Sequence, residues 1–127
     1  MKINFRSLII ILSALFFFAS CSKEKIDENT YQISYKLIGS EGVKIQTIKY
    51  NTDDSGGSDF INVDEETEVS SFESITYSLR TKSAYIYTLA TGPNANSTLT
   101  AQIFKNGVMV KEYTRKGVNL GLELGLP

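Results

Sequence analysis

Few residues in this chain could perform covalent or acid–base chemistry. There is no histidine to act as a general base, and Cys21 is the single cysteine. No serine lies in a Gly-x-Ser-x-Gly sequence, the arrangement that presents a serine nucleophile in many hydrolases. Without histidine or a second thiol, zinc and haem sites would lack their usual ligands. We therefore expect a protein that is not an enzyme and that carries no cofactor.

Carboxylates are the remaining candidates for catalysis, since two carboxyl groups facing a glycosidic bond can support glycoside hydrolysis. The acidic residues cluster at Asp53 and Asp54, and again within residues 64–68. Both clusters lie in stretches with the composition of loops, where a run of charge is usually a solvated surface. A carboxylate enzyme is therefore the weakest functional hypothesis.

One acidic stretch has the spacing of a calcium-binding loop. Asn51, Asp53, Ser55 and Asp59 fall at template positions 1, 3, 5 and 9, and Gly56 falls at the position that requires glycine. The last template position, normally a bidentate glutamate, holds asparagine. Because Asn, Asp and Gly also favour tight turns, a turn without metal is the preferred interpretation, and calcium is the alternative.

Tyrosines suggest a binding face. Tyr85 and Tyr87 would share one face of a strand, and Tyr31 and Tyr35 one face of another, because side chains two or four residues apart in a strand point the same way. Either pair, if exposed, would form an adhesive patch. Tyrosines also fill the cores of β-sandwiches when the hydroxyl finds a partner, and core packing is the preferred interpretation.

The N-terminus has the composition of an export signal. Basic residues precede an apolar run at residues 8–18, and the small residues Ala19 and Ser20 follow. As a helix this run would span about 16 Å, roughly half of a ~30 Å hydrocarbon core. A signal peptide over residues 1–20 is therefore favoured over a retained transmembrane helix.

The sequence Phe18-Ala19-Ser20-Cys21 resembles the lipobox of bacterial lipoproteins, with Phe18 in place of the usual leucine. The resemblance implies cleavage between Ser20 and Cys21 and acylation of Cys21, with palmitate among the expected chains. One acyl chain holds a protein only marginally, whereas several form a durable membrane anchor. The polar residues that follow, within residues 21–30, are expected to form a flexible tether.

The expected location is the bacterial cell envelope, as an outer-membrane lipoprotein. Charged residues directly after Cys21 resemble export signals of surface-displayed lipoproteins in some Gram-negative bacteria, although lysines interrupt the acidic run. The sequence favours neither the periplasmic face nor the cell surface. The 14 acidic residues already outnumber the 13 basic ones, and removal of the signal's cations makes the mature chain more acidic. This charge gives no electrostatic case for nucleic-acid binding.

Residues 31–127 are patterned as one β-domain. Apolar and polar residues alternate with period two, and turn residues recur roughly every eight to twelve positions. Asn106-Gly107 between two alternating runs is the signature of a type I′ hairpin. A change of parity near Gln46 and Thr47 predicts a β-bulge. Seven or eight short strands predict an all-β, immunoglobulin-like antiparallel sandwich after the signal helix, with a closed barrel as the alternative.

Individual strands can also be predicted. Residues 60–63 form a short strand, and residues 69–79 form either one bent strand or two short ones. Residues 84–90 are apolar on both faces, which is typical of a central strand. Residues 118–126 alternate strictly and predict a strand with one buried face and a second face left bare by glycine.

Four segments carry a family resemblance. They are a tyrosine-containing first strand (31–35), a Val-x-Ile strand that ends in tyrosine before a glycine-rich loop (43–57), the strand at 85–90, and an Ile-x-x-x-Gly-x-x-Val-Lys hairpin (103–111). In these segments the chain resembles MmpS-type, immunoglobulin-like accessory domains and their lipoprotein relatives. It lacks their Pro-Trp before the middle strands, and a lipid replaces their transmembrane helix. The resemblance implies a non-catalytic accessory to an envelope transporter in some members, but a shared fold does not carry function.

Two main functional hypotheses follow. The first is a lipid-anchored, non-catalytic binding or accessory module that contacts an envelope protein through an exposed apolar patch or an unpaired edge strand. The second is a lipoprotein that binds a small lipid or glycan in a concavity lined by tyrosines.

Overall fold

The computed structural model describes residues 30–55, 57–62, 70–74 and 76–127. They form two antiparallel sheets packed face to face, with nine strands in the described residues rather than seven or eight. The predicted all-β antiparallel sandwich of immunoglobulin-like architecture is confirmed, and the barrel alternative is wrong. The predicted signal helix lies outside the described residues.

The first sheet is built around the longest strand, β1, which pairs with β7 on one side and with two short strands on the other. β7 then pairs with β8 at the end of the sheet. Residues 69–79 thus supply two short strands rather than one bent strand. The strands of this sheet are β1 (Thr30–Gly39), β4 (Ser71–Glu73), β5 (Tyr77–Arg80), β7 (Thr98–Lys105) and β8 (Val108–Lys116).

The second sheet has the order β3-β2-β6-β9. β6 lies in its interior, as predicted for a central strand, and a 3₁₀ turn at Thr81–Ser83 connects β5 to β6. The pairing of β2 with β6 shifts register between Ile45 and Thr47, which confirms the predicted bulge. The strands are β2 (Lys44–Asn51), β3 (Ser58–Asn62), β6 (Tyr85–Thr91) and β9 (Leu122–Gly125).

The core lies between the sheets and is filled by alternate side chains of the long strands. In β1 the buried positions alternate with exposed or half-buried ones, as period two requires. Each fully buried aliphatic side chain stabilises the fold by about 1.5–3 kcal/mol, so the core outweighs any single polar contact. The largest fully buried side chains are Tyr35, Ile33, Leu37, Ile45, Ile48, Leu79, Ile86, Leu99, Ile103, Leu120, Val43 and Thr88.

The β7–β8 hairpin turns at Asn106 and Gly107, whose φ angles are 52° and 79°. Positive φ at both central residues is the property of a type I′ turn, so this prediction is confirmed. A second bulge follows, because Ile103 pairs with Lys111 while Phe104 pairs with Met109. Val110 is therefore left without an opposite residue in β7.

The last strand is shorter than predicted. β9 covers four residues, and an isolated bridge between Thr91 and Asn119 precedes it. Leu120, Leu122 and Leu124 are buried as predicted, but Val118 is 50% exposed. The first half is not a continuous strand, but it already lies beside β6 in the register of β9: the N–H of Gly92 donates to the carbonyl of Val118 (2.8 Å), and the N–H of Leu120 donates to the carbonyl of Ala90 (2.9 Å).

Candidate functional site

The predicted lipidation and cleavage residues, Cys21 and Ser20, lie outside the described residues. Within the described part of the chain, no helix is long and apolar enough to cross a membrane.

Tyr35 belongs to the core and not to a binding face. Its side chain is fully buried, and its hydroxyl donates to the carbonyl of Asn51 and accepts the N–H of Tyr85, each at 3.2 Å. Burial raises the pKa of Tyr35 to about 12. Tyr31, four residues earlier on the same face, is half-buried, and the Nζ atom of Lys105 lies 3.4 Å from its ring centroid. Of this predicted binding face, only the Tyr31 end is accessible to solvent.

Tyr85 and Tyr87 point away from the core, because Ile86 and Thr88 between them are buried. Both tyrosines are half-buried, and Leu89 continues their row with 41% exposure. Burial, followed by the nearby carboxylate of Glu123, raises the pKa of Tyr85.

One glycine of the last segment gives this row room. A Cβ atom built on Gly121 would lie 3.2 Å from Cδ2 of Leu89, a tight contact, whereas one on Gly125 would lie at an ordinary contact distance, 3.8 Å from Cδ2 of Tyr85. The side chain of Leu89 therefore lies close over Gly121. The row of Tyr85, Tyr87 and Leu89 is a sheet surface rather than a concavity.

The calcium candidates make separate internal contacts. Oδ1 of Asp53 accepts the N–H of Ser55 (2.8 Å), the hydroxyl of Ser55 (2.6 Å) and the N–H of Gly57 (2.8 Å). The serine hydroxyl is the main cause of the lowered pKa of Asp53. The amide of Asn51 donates to the carbonyl of Ser83. This is the geometry of the predicted turn.

Asp59, the fourth candidate, contacts two tyrosines instead of this turn. Its Oδ2 atom accepts the hydroxyls of Tyr50 (3.0 Å) and Tyr77 (3.1 Å). Among the described residues, no group of three His, Cys, Asp or Glu side chains is placed to hold a metal ion.

These two tyrosines belong to an aromatic cluster that joins the sheets. The ring of Tyr50, in β2, lies 5.4 Å from that of Tyr35, 5.3 Å from Phe72 and 5.9 Å from Tyr77, measured between centroids. Burial raises the pKa of Tyr50, and its hydroxyl is satisfied by Asp59. Tilted aromatic pairs at these distances each add about 0.5–1.5 kcal/mol beyond area burial. The cluster stabilises the sandwich.

Two clefts in the surface of the described residues were compared with the predicted tyrosine-lined site, and tyrosine lines neither. The first, of about 540 Å³, is lined by Asp54, Arg80, Thr81, Lys82 and Ser83. The second, of about 480 Å³, is lined by Ser40, Glu41, Gly42, Pro93, Asn94, Asn96 and Ser97. Neither cleft is the tyrosine-lined concavity that was expected of a small-ligand site.

The least covered element is β8. All nine of its residues are exposed, and within the described residues no strand pairs with its outer edge. Val108 is 66% exposed and Tyr113 is 48% exposed. β8 is open along its outer edge because it ends its sheet and, among the described strands, pairs with β7 alone.

The amine of Lys111 donates to the carbonyl of Gly125, which places β8 and β9 on the same side of the sandwich. The end strand of each sheet therefore lies on this side of the domain. The sequence predicted the hairpin that contains β8, but the exposure of that strand depends on which strands pair across the domain. Three apolar residues in a row, Val108, Met109 and Val110, were the one local signal.

No protein-family model matches the chain, and no curated protein matches it. The resemblance to MmpS-type domains therefore stays a sequence-based prediction.

Proposed function

We propose that this chain is a lipid-anchored lipoprotein of the bacterial envelope whose β-sandwich is a non-catalytic binding module for another protein. The observation that carries the proposal is β8, a nine-residue strand at the end of its sheet with every residue exposed. An unpaired edge offers a row of N–H and C=O groups to which an extended segment of a partner can add as a further strand.

We call residues 111–116 the docking edge. On its core-side face, Lys111, Tyr113 and Arg115 lie opposite Ile103, Ala101 and Leu99 of β7, in that order. Tyr113 therefore stands between two cations. A partner strand that covered this tyrosine and placed carboxylates beside the cations would gain apolar burial and charge complementarity.

The other face of the docking edge is occupied within the chain. The amide of Gln102 donates to Oε2 of Glu112 at 2.6 Å, and the hydroxyls of Thr100 and Thr114 lie 2.8 Å apart. These cross-strand contacts hold β8 flat against β7 before a partner arrives. A pre-ordered edge lowers the entropic cost of binding.

An accessory role beside an envelope transporter is the finer form of the proposal. Its support is the resemblance of the sequence to MmpS-type accessory domains, together with the sandwich architecture.

A small-ligand role has one observation in its favour. Tyr85 and Tyr87 are half-buried on the outer face of the second sheet, and Glu123 lies opposite Tyr87 in β9. Aromatic rings beside a carboxylate could stack against a glycan and bond its hydroxyls. Because this surface is flat and tyrosine lines neither cleft, we rank the small-ligand role second.

Chemical crosslinking of the full-length protein in living cells tests the proposal. We expect one dominant envelope partner with the wild-type protein, and its loss with Cys21→Ser, which should leave the membrane. Tyr113→Glu should also lose the partner, because it places a negative charge between Lys111 and Arg115 and removes the apolar ring.

Tyr87→Glu is the matched control, since it changes a tyrosine on the outer face of the other sheet. A partner captured equally by both tyrosine variants would contradict docking at β8. Wild-type protein recovered alone from membranes in which it is abundant would contradict the binding module and favour the glycan alternative.

A further inference from the structure

The N-terminal start of the described domain lies beside the turn of the β7–β8 hairpin. The N–H of Gln32 donates to Oδ1 of Asn106 at 3.1 Å, and the N–H of Asn106 donates to the carbonyl of Gln32 at 2.7 Å. Next to them, the Nζ atom of Lys105 lies over the ring of Tyr31. The first residues of the described domain therefore lie beside the hairpin turn.

The residues that follow this turn are apolar and exposed. We call Val108, Met109 and Val110 the hairpin tip; they are 66%, 47% and 45% exposed. The bulge in β8 explains why three successive residues are open, because it leaves Val110 without an opposite residue in β7. Lys105 and Lys111 flank the tip on either side. Apolar side chains bordered by lysines suit the boundary between lipid headgroups and acyl chains.

One carboxylate at this end of the domain, that of Asp54, lies beside a cation. Oδ1 of Asp54 accepts the N–H of Arg80, whose guanidinium lies 4.0 Å from Oδ2 of the same carboxylate. Asp53 accepts three hydrogen bonds inside its own turn. The Arg80 cation offsets part of the repulsion between Asp54 and an anionic lipid surface, whereas the hydrogen bonds to Asp53 leave its charge in place.

We propose that the hairpin tip contacts the lipid surface and forms a second, non-covalent attachment beside the lipid on Cys21. This inference rests on the proposed lipid anchor. Residues 21–29 reach at most about 32 Å when fully extended. A tether this short holds the tip near the bilayer at an effective concentration on the order of millimolar, so a contact too weak to retain a free protein is populated in an anchored one.

The contact would orient the docking edge. With the tip on the lipid, β8 runs away from the membrane, and its far end lies about 26 Å from Val108 at the usual rise of a strand. Lys111 then lies at the lipid boundary, and residues 112–116 of the docking edge are presented to the aqueous phase. The lipid surface is contacted by the tip, and the partner protein is contacted by the edge beyond it.

Fluorescence quenching by lipid tests the orientation. The chain has one cysteine, whose thiol is consumed by the thioether of the anchor, so a new cysteine can be labelled alone. Val108→Cys carries an environment-sensitive fluorophore at the tip. Val118→Cys is the matched control: an exposed valine (50%) beyond the far end of β8. The lipidated proteins are reconstituted in vesicles of phosphatidylethanolamine and phosphatidylglycerol with or without brominated acyl chains.

We expect quenching at position 108 to exceed that at position 118 by at least about twofold, because interfacial segments enter roughly 5–10 Å into the headgroup boundary. Equal quenching at the two positions, or stronger quenching at 118, would overturn the proposed contact while leaving the anchor intact. Failure of the anchor has a different signature. The wild-type protein would then stay in the aqueous phase and take the label on Cys21, and the inference would fall with it.

Discussion

Gln32 and Asn106 are joined by a reciprocal pair of hydrogen bonds, 3.1 Å and 2.7 Å long, between the start of β1 and the hairpin turn. Asn106 also adopts a φ angle of 52°, a left-handed conformation that asparagine tolerates better than most residues. One residue therefore shapes the turn through its backbone and fixes it to the start of β1 through its side chain and its N–H.

Two substitutions separate these roles of Asn106. Asn106→Gly keeps the backbone angle but removes the acceptor for Gln32, so we expect a loss of about 1 kcal/mol in the free energy of unfolding. Asn106→Ala also strains the backbone, which adds roughly 1 kcal/mol or more. Urea denaturation measures both. Equal losses would show that the positive φ costs nothing, contrary to the type I′ assignment.

Tyr35→Phe tests the polar contacts of the core. The substitution preserves the ring but leaves the carbonyl of Asn51 and the N–H of Tyr85 without the hydroxyl they share. We expect a loss of about 1–3 kcal/mol in the free energy of unfolding. Tyr87→Phe, on the outer face, is the control and should stay within about 0.5 kcal/mol of wild type. If the two variants were equally stable, the buried hydroxyl would have no structural role.

Stability should fall steeply at alkaline pH. Burial raises the pKa of Tyr35 from 10.0 to about 12, and burial also raises the pKa of Tyr50. Between about pH 10 and pH 12, Tyr35 has lost its proton in the unfolded state but keeps it in the folded state. The unfolded state therefore binds fewer protons, and the free energy of unfolding decreases as pH rises. The stabilising contribution is complete below about pH 10 and is lost as pH approaches 12.

Urea denaturation at a series of pH values measures this slope, and tyrosinate absorbance follows the ionisation. Tyr35→Phe should show a shallower decline between pH 10 and 12, because one of the raised groups is gone. Identical slopes for the wild-type and variant proteins would mean that Tyr35 ionises in the folded state as readily as in the unfolded chain.

Features coded by neighbouring residues could be predicted from the sequence. The Asn106-Gly107 turn depends on backbone preferences of those two residues, and the bulge between Ile45 and Thr47 appears as a change of parity. The turn at Asp53 likewise follows from local side-chain to backbone hydrogen bonds.

Features set by distant pairing could not be predicted. Tyr35 and Tyr87 both lie at alternating positions of strands, yet one is fully buried and the other faces outward. Their burial depends on which face of each sheet meets the other sheet. The exposure of β8 has the same origin, since it depends on the strand order that puts β8 at the end of its sheet.

Residue-resolved photo-crosslinking is the most direct measurement of the docking edge. A photo-reactive phenylalanine analogue is placed at Tyr113 or at Tyr87 of the full-length protein, and cells are irradiated. We predict a crosslink to one envelope protein from position 113 and none to that protein from position 87. A partner captured only from position 87, or no protein captured from position 113 in membranes where the lipoprotein is abundant, would contradict binding through β8.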